Sequence, residues 1–146
     1  MLTLGNIAWW RVDMPDRTED GELVTVPVRL KLKLFTRAEL RQRQARRLES
    51  GIARLGKAMD TAAAAQQPDE LKRAAEDLQA ATEAFLQEET LTETELAERI
   101  LGWRPEDVSG EAFTPGLRDL LLSDQARFNA CLQALDAASI GAPRKN

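Results

Sequence analysis

The chain predicts an α+β fold, mainly helical, with an N-terminal antiparallel β-hairpin over residues 1–35 and a body of about five helices over 36–146, in a single domain. Three observations carry this reading. Val24, Val26, Val28, Leu30, Leu32 and Leu34 alternate with Thr25, Pro27, Arg29, Lys31 and Lys33, a period of two. The period changes at Phe35-Thr36, and helix-start signatures then recur down to the C-terminal third.

Ile7 to Val12 reads as a short strand whose adjacent Trp9 and Trp10 must point to opposite faces, so at least one ring lies on an outer face. Met14 to Glu22 is polar and contains Asp20-Gly21, and reads as a loop longer than a tight hairpin. The strand from Val24 to Leu34 follows, one face apolar and the other wet and basic, as in an antiparallel sheet covered on one side. Pro27 lacks a ladder N–H, which implies an open edge near the start of this strand.

Thr36 and Glu39 form a capping box, with Phe35 and Leu40 placed for a hydrophobic staple. At about 100° per residue, Leu48, Ile52, Leu55, Met59 and Ala62 share one face, and Arg43, Arg46, Arg47, Arg54 and Lys57 the other. This helix is expected to run to Gln67, because Pro68 disfavours helical geometry before it. Pro68-Asp69-Glu70 opens a second helix with Leu71, Ala75, Leu78, Phe85 and Leu86 on its apolar face, and the short connection suggests an antiparallel pair. Thr92 and Glu95 repeat the capping box and predict a short third helix to Leu101, ended by Gly102 in a left-handed C′ position. Trp103 and Phe113 bound a polar loop and are expected to be buried, at roughly 1.5–3 kcal/mol per buried large side chain. Thr114-Pro115 starts a fourth helix through Leu117, Leu120 and Leu121. Ser123-Asp124 starts a fifth through Phe128, Cys131, Leu132 and Leu135, with Gly141 and Pro143 as its stop.

Composition narrows function. There is no histidine and no tyrosine among the 146 residues, which removes the commonest general base, zinc ligand and phenolic acid. The single cysteine, Cys131, cannot form an internal disulfide, and on an apolar stripe it reads as a small core residue. The start Met1 to Asn6 lacks the charged and apolar regions of a signal peptide, and no apolar run is long enough to span a bilayer; a cytoplasmic location is expected. The net charge of −4 conceals an asymmetry: ten cations and two acids between residues 29 and 57 give that segment +8, leaving −12 elsewhere.

Several motifs invite sharper readings. Gly51-Ile52-Ala53-Arg54-Leu55-Gly56-Lys57-Ala58 is one residue short of a phosphate-binding loop, but it lies inside a helical pattern with Ala58 where Ser or Thr would hold magnesium. Glu88-Glu89 and Glu93-Glu95 lack the Asp/Asn loop and glycine turn of a calcium site and read as solvated helix ends. No metal or cofactor is expected. The basic strand and helix face, Arg29, Lys31 and Lys33 with Arg43, Arg46, Arg47 and Arg54, would suit phosphates, although a solvated or protein-docking face is the better reading in an acidic chain.

Ile100-Leu101-Gly102-Trp103, the Val108-Ser109-Gly110 turn, Phe113-Thr114-Pro115, the run Leu117 to Leu122 and the ending Ala138 to Asn146 resemble the tail assembly chaperones of long-tailed bacteriophages and prophages. The strand flowing into Thr36-Arg37-Ala38-Glu39-Leu40 is similar to the point where such proteins pass from sheet to helix. The resemblance implies a noncatalytic protein that binds the tape measure protein, keeps it soluble while tail tube subunits polymerise around it, acts in the host cytoplasm and is absent from the virion. Tail tube subunits and further copies of the chain are additional candidate partners. The alternatives are a nucleic-acid-binding protein using the basic face and a structural tail component. Candidate partner contacts are Trp9 and Trp10 and the stripe Arg43, Arg46, Arg47 and Arg54, read from expected exposure, with Trp103 and Phe113 carried by the resemblance.

Overall fold

The computed structural model describes residues 5–48 and 51–141. The fold is α+β and mainly helical, with five α-helices among the described residues and a three-stranded sheet in the order β1-β2-β3. Strands β1 (Ile7–Arg17) and β2 (Leu23–Lys33) form the expected antiparallel hairpin, in register from Ile7↔Lys33 to Arg17↔Leu23. β1 runs on through Asp13 to Arg17 because Met14 continues the inward series begun by Ala8, Trp10 and Val12 and is itself buried. The expected long loop therefore shrinks to residues 18–22, where the Gly21 amide donates to Thr18 O and Gly21 takes φ 80°.

Contacts divide the chain into two compact units, Met1–Thr36 with Glu95–Asn146, and Arg37–Thr94. In the first, α5 (Gln125–Ser139) lies against β1 on the inner face of the sheet, and α4 (Pro115–Leu122) packs on α5. Leu30 and Leu32 from β2, Leu96 and Ile100 from the return of the chain, and Cys131 and Leu135 from α5 are its most deeply buried side chains. Both expected helix starts are present: Thr114 Oγ1 accepts from the Leu117 amide with Pro115 next to it, and Asp124 accepts from the Arg127 amide. Arg127 also donates to Pro15 O (3.0 Å) and Asp16 Oδ1 (2.8 Å), tying the start of α5 to β1. At the other end of β2, the Phe35 amide donates to Ser139 Oγ and the Arg99 guanidinium lies 3.9 Å from the centre of the Phe35 ring. Gly141, with φ 76°, follows α5 as expected, and Pro143 lies outside the described residues.

The second unit holds α1 (Arg37–Leu48), α2 (Gly51–Ala64) and the greater part of α3 (Pro68–Arg99). Helix α1 begins directly after Thr36, and α2 stops at Ala64, three residues before the expected end; residues 49 and 50 between them lie outside the described residues. The side chains of Leu48 and Ile52 are likewise outside that set. Met59, expected on the apolar face, is 56% exposed, while Ala58 is buried between half-buried Leu55 and Ala62. In α3, Ala74 and Ala81 are buried with Leu78 and Phe85 half-buried, and Leu71, Ala75 and Leu86 are exposed. The buried line thus steps four, three and four residues, a narrow seam in place of the broader stripe expected.

The Thr92 region differs most from expectation. α3 is continuous for 32 residues, and Thr92 Oγ1 donates to Glu88 O one turn back, so it does not cap a third helix. The acid pairs Glu88-Glu89 and Glu93-Glu95 consequently sit within a helix, away from its ends. α3 gives way at once to a third strand, β3 (Ile100–Trp103), which pairs antiparallel with β2 through Leu30↔Trp103, Lys31↔Gly102 and Leu32↔Ile100, with a bulge between Lys31 and Leu32. Gly102 is therefore a strand residue; the left-handed glycines are Gly21, Gly110 and Gly141. Because Thr92 lies inside α3, Thr92→Ala should leave unfolding free energy unchanged or raise it by a few tenths of a kcal/mol, through higher helix propensity. Urea denaturation checks this, and a loss of about 1 kcal/mol would be the signature of a capping residue.

Candidate functional site

The alternation of β1 and β2 sends Ile7, Trp9, Arg11 and Asp13 of β1, and Arg29, Lys31 and Lys33 of β2, to the face of the sheet opposite α5. Trp9 is 37% exposed there and Ile7 is exposed too, whereas Trp10 is half-buried on the inner side; Leu101, on the other edge strand β3, is also exposed. The expected division of the two tryptophans holds. Pairing places Trp9 opposite Lys31 and Ile7 opposite Lys33, and Lys31 is followed across the sheet by Gly102. The Arg104 guanidinium, just beyond β3, lies 5.0 Å from the centre of the Trp9 ring.

A loop from Arg104 to Thr114 borders this face and is held by two devices. Trp103 is only 4% exposed, meets Phe113 edge-on at 5.0 Å between ring centroids, and donates its indole N–H to Glu111 O at 2.9 Å. Its work is internal, and Phe113 is half-buried beside it. Ser109 (φ 50°) and Gly110 (φ 76°) turn the chain in succession, with the Gly110 amide donating to Pro105 O.

The second device is electrostatic. β3 covers only Leu30 to Leu32 on its side of β2, and at Arg29 the place of a ladder partner is taken by the Asp107 carboxylate. Asp107 Oδ2 accepts from the Arg29 amide (3.0 Å) and from Nε (2.9 Å), and Oδ1 accepts from Nη2 (3.0 Å). The Arg104 amide returns a bond to Arg29 O, and Glu106 lies 3.3 Å from the guanidinium. Pro27, two residues earlier, lies beyond the reach of β3, in keeping with the open edge its missing N–H implies. Asp107 is 14% exposed, and its hydrogen bond from Arg29 holds it below the ordinary carboxylate range.

Several outer cations are thus already engaged: Arg29 by Asp107 and Glu106, and Arg11 by Asp13 at 3.4 Å. The side-chain ammonium groups of Lys31 and Lys33 have no hydrogen-bonded or ionic partner among the described residues, although Lys33 O accepts from Arg99 Nη1 at 3.2 Å. The other candidates, Arg43, Arg46, Arg47 and Arg54, belong to the second unit; Arg43 and Arg46 are half-buried, Arg54 is exposed, and only the helical backbone of Arg47 is described. The near phosphate-loop Gly51 to Ala58 is helical, as expected. Cys131 is fully buried and its thiol is pushed up to about 12 by desolvation, so it is not a thiolate near neutral pH. Among the described residues, no cluster of His, Cys, Asp and Glu could hold a metal ion, and no helix is long and apolar enough to cross a membrane.

Asp107 sets a pH signature. Its folded-state value lies below its unfolded one, so its contribution is complete above the ordinary value near 3.8 and is lost as pH falls through the lowered one. Asp107→Asn should melt lower than the parent at pH 7, with that difference closing on acidification below pH 3.8, and Asp107→Ala should melt lower still because the Arg29 amide also loses its acceptor, a part that remains in acid. Thermal melts across pH check this; a gap that persists unchanged in acid would place the effect elsewhere. Compared with known proteins, the chain matches no protein-family model, no curated protein and no solved structure.

Proposed function

We propose that this chain is a noncatalytic tail assembly chaperone of a long-tailed bacteriophage or prophage, which binds the tape measure protein and keeps it soluble while the tail is built. The observation that carries the reading is the exposed sheet face bearing Ile7 and Trp9, in a chain whose sequence resembles that family. A tape measure is long and helix-rich, and apolar stripes along it would aggregate unless masked. An exposed apolar patch on a small folded domain gives each copy one weak contact, and many copies along one client gain through multivalency. Tail tube subunits and further copies of the chain are secondary partners in this proposal, which places the protein in the host cytoplasm and outside the finished virion.

A nucleic-acid reading would draw on the same face. One feature weighs against it: acids already engage Arg11 and Arg29.

Co-expression with the tape measure protein of the same genome tests the proposal. Soluble tape measure should co-purify with a tagged copy at moderate salt and without nucleic acid, and Trp9→Ser should reduce the soluble yield severalfold. An insoluble tape measure would overturn the function, whereas full rescue by Trp9→Ser would overturn the site and leave the function standing.

A further inference from the structure

We infer that the open face of the sheet is a docking surface for an acidic amphipathic helix, whose apolar stripe lies on Ile7 and Trp9 while its carboxylates meet Lys31 and Lys33. This rests on the proposed function and specifies the chemistry of the client segment. Strand β2 is the middle strand of the sheet, and Lys31 stands within the face between Trp9 of β1 and Gly102 of β3, with Lys33 at the end of β2 beyond the reach of β3. They project from the same side two residues apart, about 6.8 Å along the strand. Carboxylates four residues apart on a helix are separated by about 6 Å along its axis, so a helix lying along β2 can engage both lysines from one face.

The surroundings give this face its sign. Asp13, Glu106 and Asp107 each lie against an arginine, which leaves the Lys31 and Lys33 ammonium groups, with Arg104 over Trp9, as cations of this face outside any salt bridge among the described residues. Apolar contact sits beside them by pairing: Trp9 is across from Lys31 and Ile7 across from Lys33. Gly102, on the far side of Lys31, carries no side chain to block approach; a Cβ there would come 3.7 Å from the Lys31 Cβ. A polyanion such as single-stranded nucleic acid shares the charge but has no use for Ile7. A basic helix would set its cations against Lys31 and Lys33. The acidic amphipathic helix satisfies both the charge and the apolar contact.

The test uses the full chain and a labelled synthetic helix of about twenty residues, with a leucine stripe flanked by glutamates at four-residue spacing. Its twin carries lysine for each glutamate, and a third probe is a single-stranded oligonucleotide of similar length. Fluorescence anisotropy should show the glutamate helix binding about tenfold more tightly than its lysine twin and more tightly than the oligonucleotide. Lys31→Gln with Lys33→Gln should abolish that preference, and Lys31→Glu with Lys33→Glu should invert it; inversion also shows that the variant has folded. Equal affinity for the two helices, tightest binding to the oligonucleotide, or a preference untouched by both double variants would overturn the inference. The co-expression experiment separates this from the underlying reading: a tape measure kept soluble by a chain that does not prefer the glutamate helix defeats the docking chemistry alone. A clear preference with an insoluble tape measure defeats the chaperone function alone.

Discussion

The pairing of β3 with β2 is the constraint on which the first unit depends. Leu30 and Leu32 are fully buried only because Trp103 and Ile100 arrive beside them from the far end of the helical segment, while Cys131 and Leu135 close the same core from α5. The hairpin alone would be marginal, since two strands with one apolar face need a third strand or a covering helix to be stable in water. Closing so long a connection carries an entropic cost that grows only with the logarithm of its length, so a large helical segment between β2 and β3 is thermodynamically tolerable. The non-local pairing should weigh more on folding rate than on stability.

Where β3 ends, Arg29 and Asp107 take over. The carboxylate completes the hydrogen bonding of the Arg29 amide and grips its guanidinium, while the Arg104 amide bonds Arg29 O. One acid thereby does what another strand residue would have done for the amide, and also neutralises a cation on the outer face. The Trp103–Phe113 contact and the indole bond to Glu111 O fix the rest of the loop. Arg104 is consequently delivered to the Trp9 ring from a tethered loop base.

The legible parts of the chain were those with a local physical signal. Strand β2 followed from six alternating apolar residues, the two faces of Trp9 and Trp10 from strand geometry, and the starts of α4 and α5 from Thr114-Pro115 and Asp124. β3 is four residues long, too short for a period to show, and its Gly102 looks like a helix stop to any local reading. Only the edge of β2 makes Ile100 to Trp103 a strand. Thr92 with Glu95 has the spacing of a capping box, yet mid-helix a threonine hydroxyl can bond the carbonyl four residues back, so the pattern does not by itself break a helix. The Arg29–Asp107 grip joins residues 78 apart, and nothing near either residue marks it. Of the candidate contacts, strand alternation shows that one of Trp9 and Trp10 faces outward but not which, while the internal role of Trp103 depended on an acceptor, Glu111 O, that spacing does not reveal.

The open face remains the feature that folding physics does least to explain. An exposed tryptophan two residues from an exposed isoleucine on β1 loses hydrophobic free energy that a polar residue would not, and an uncovered apolar patch invites non-specific association. Proteins commonly limit that hazard with lysines on edge strands, but here Lys31 stands on the central strand, flanked by β1 and β3, and the Trp9 ring is met by Arg104. Long lysine stems can also lie along apolar surface with the ammonium in water, which keeps such a patch dispersed until a partner arrives. That arrangement limits self-aggregation while leaving apolar area and unpaired positive charge within reach of an incoming chain, a combination that a purely structural role for this face does not require.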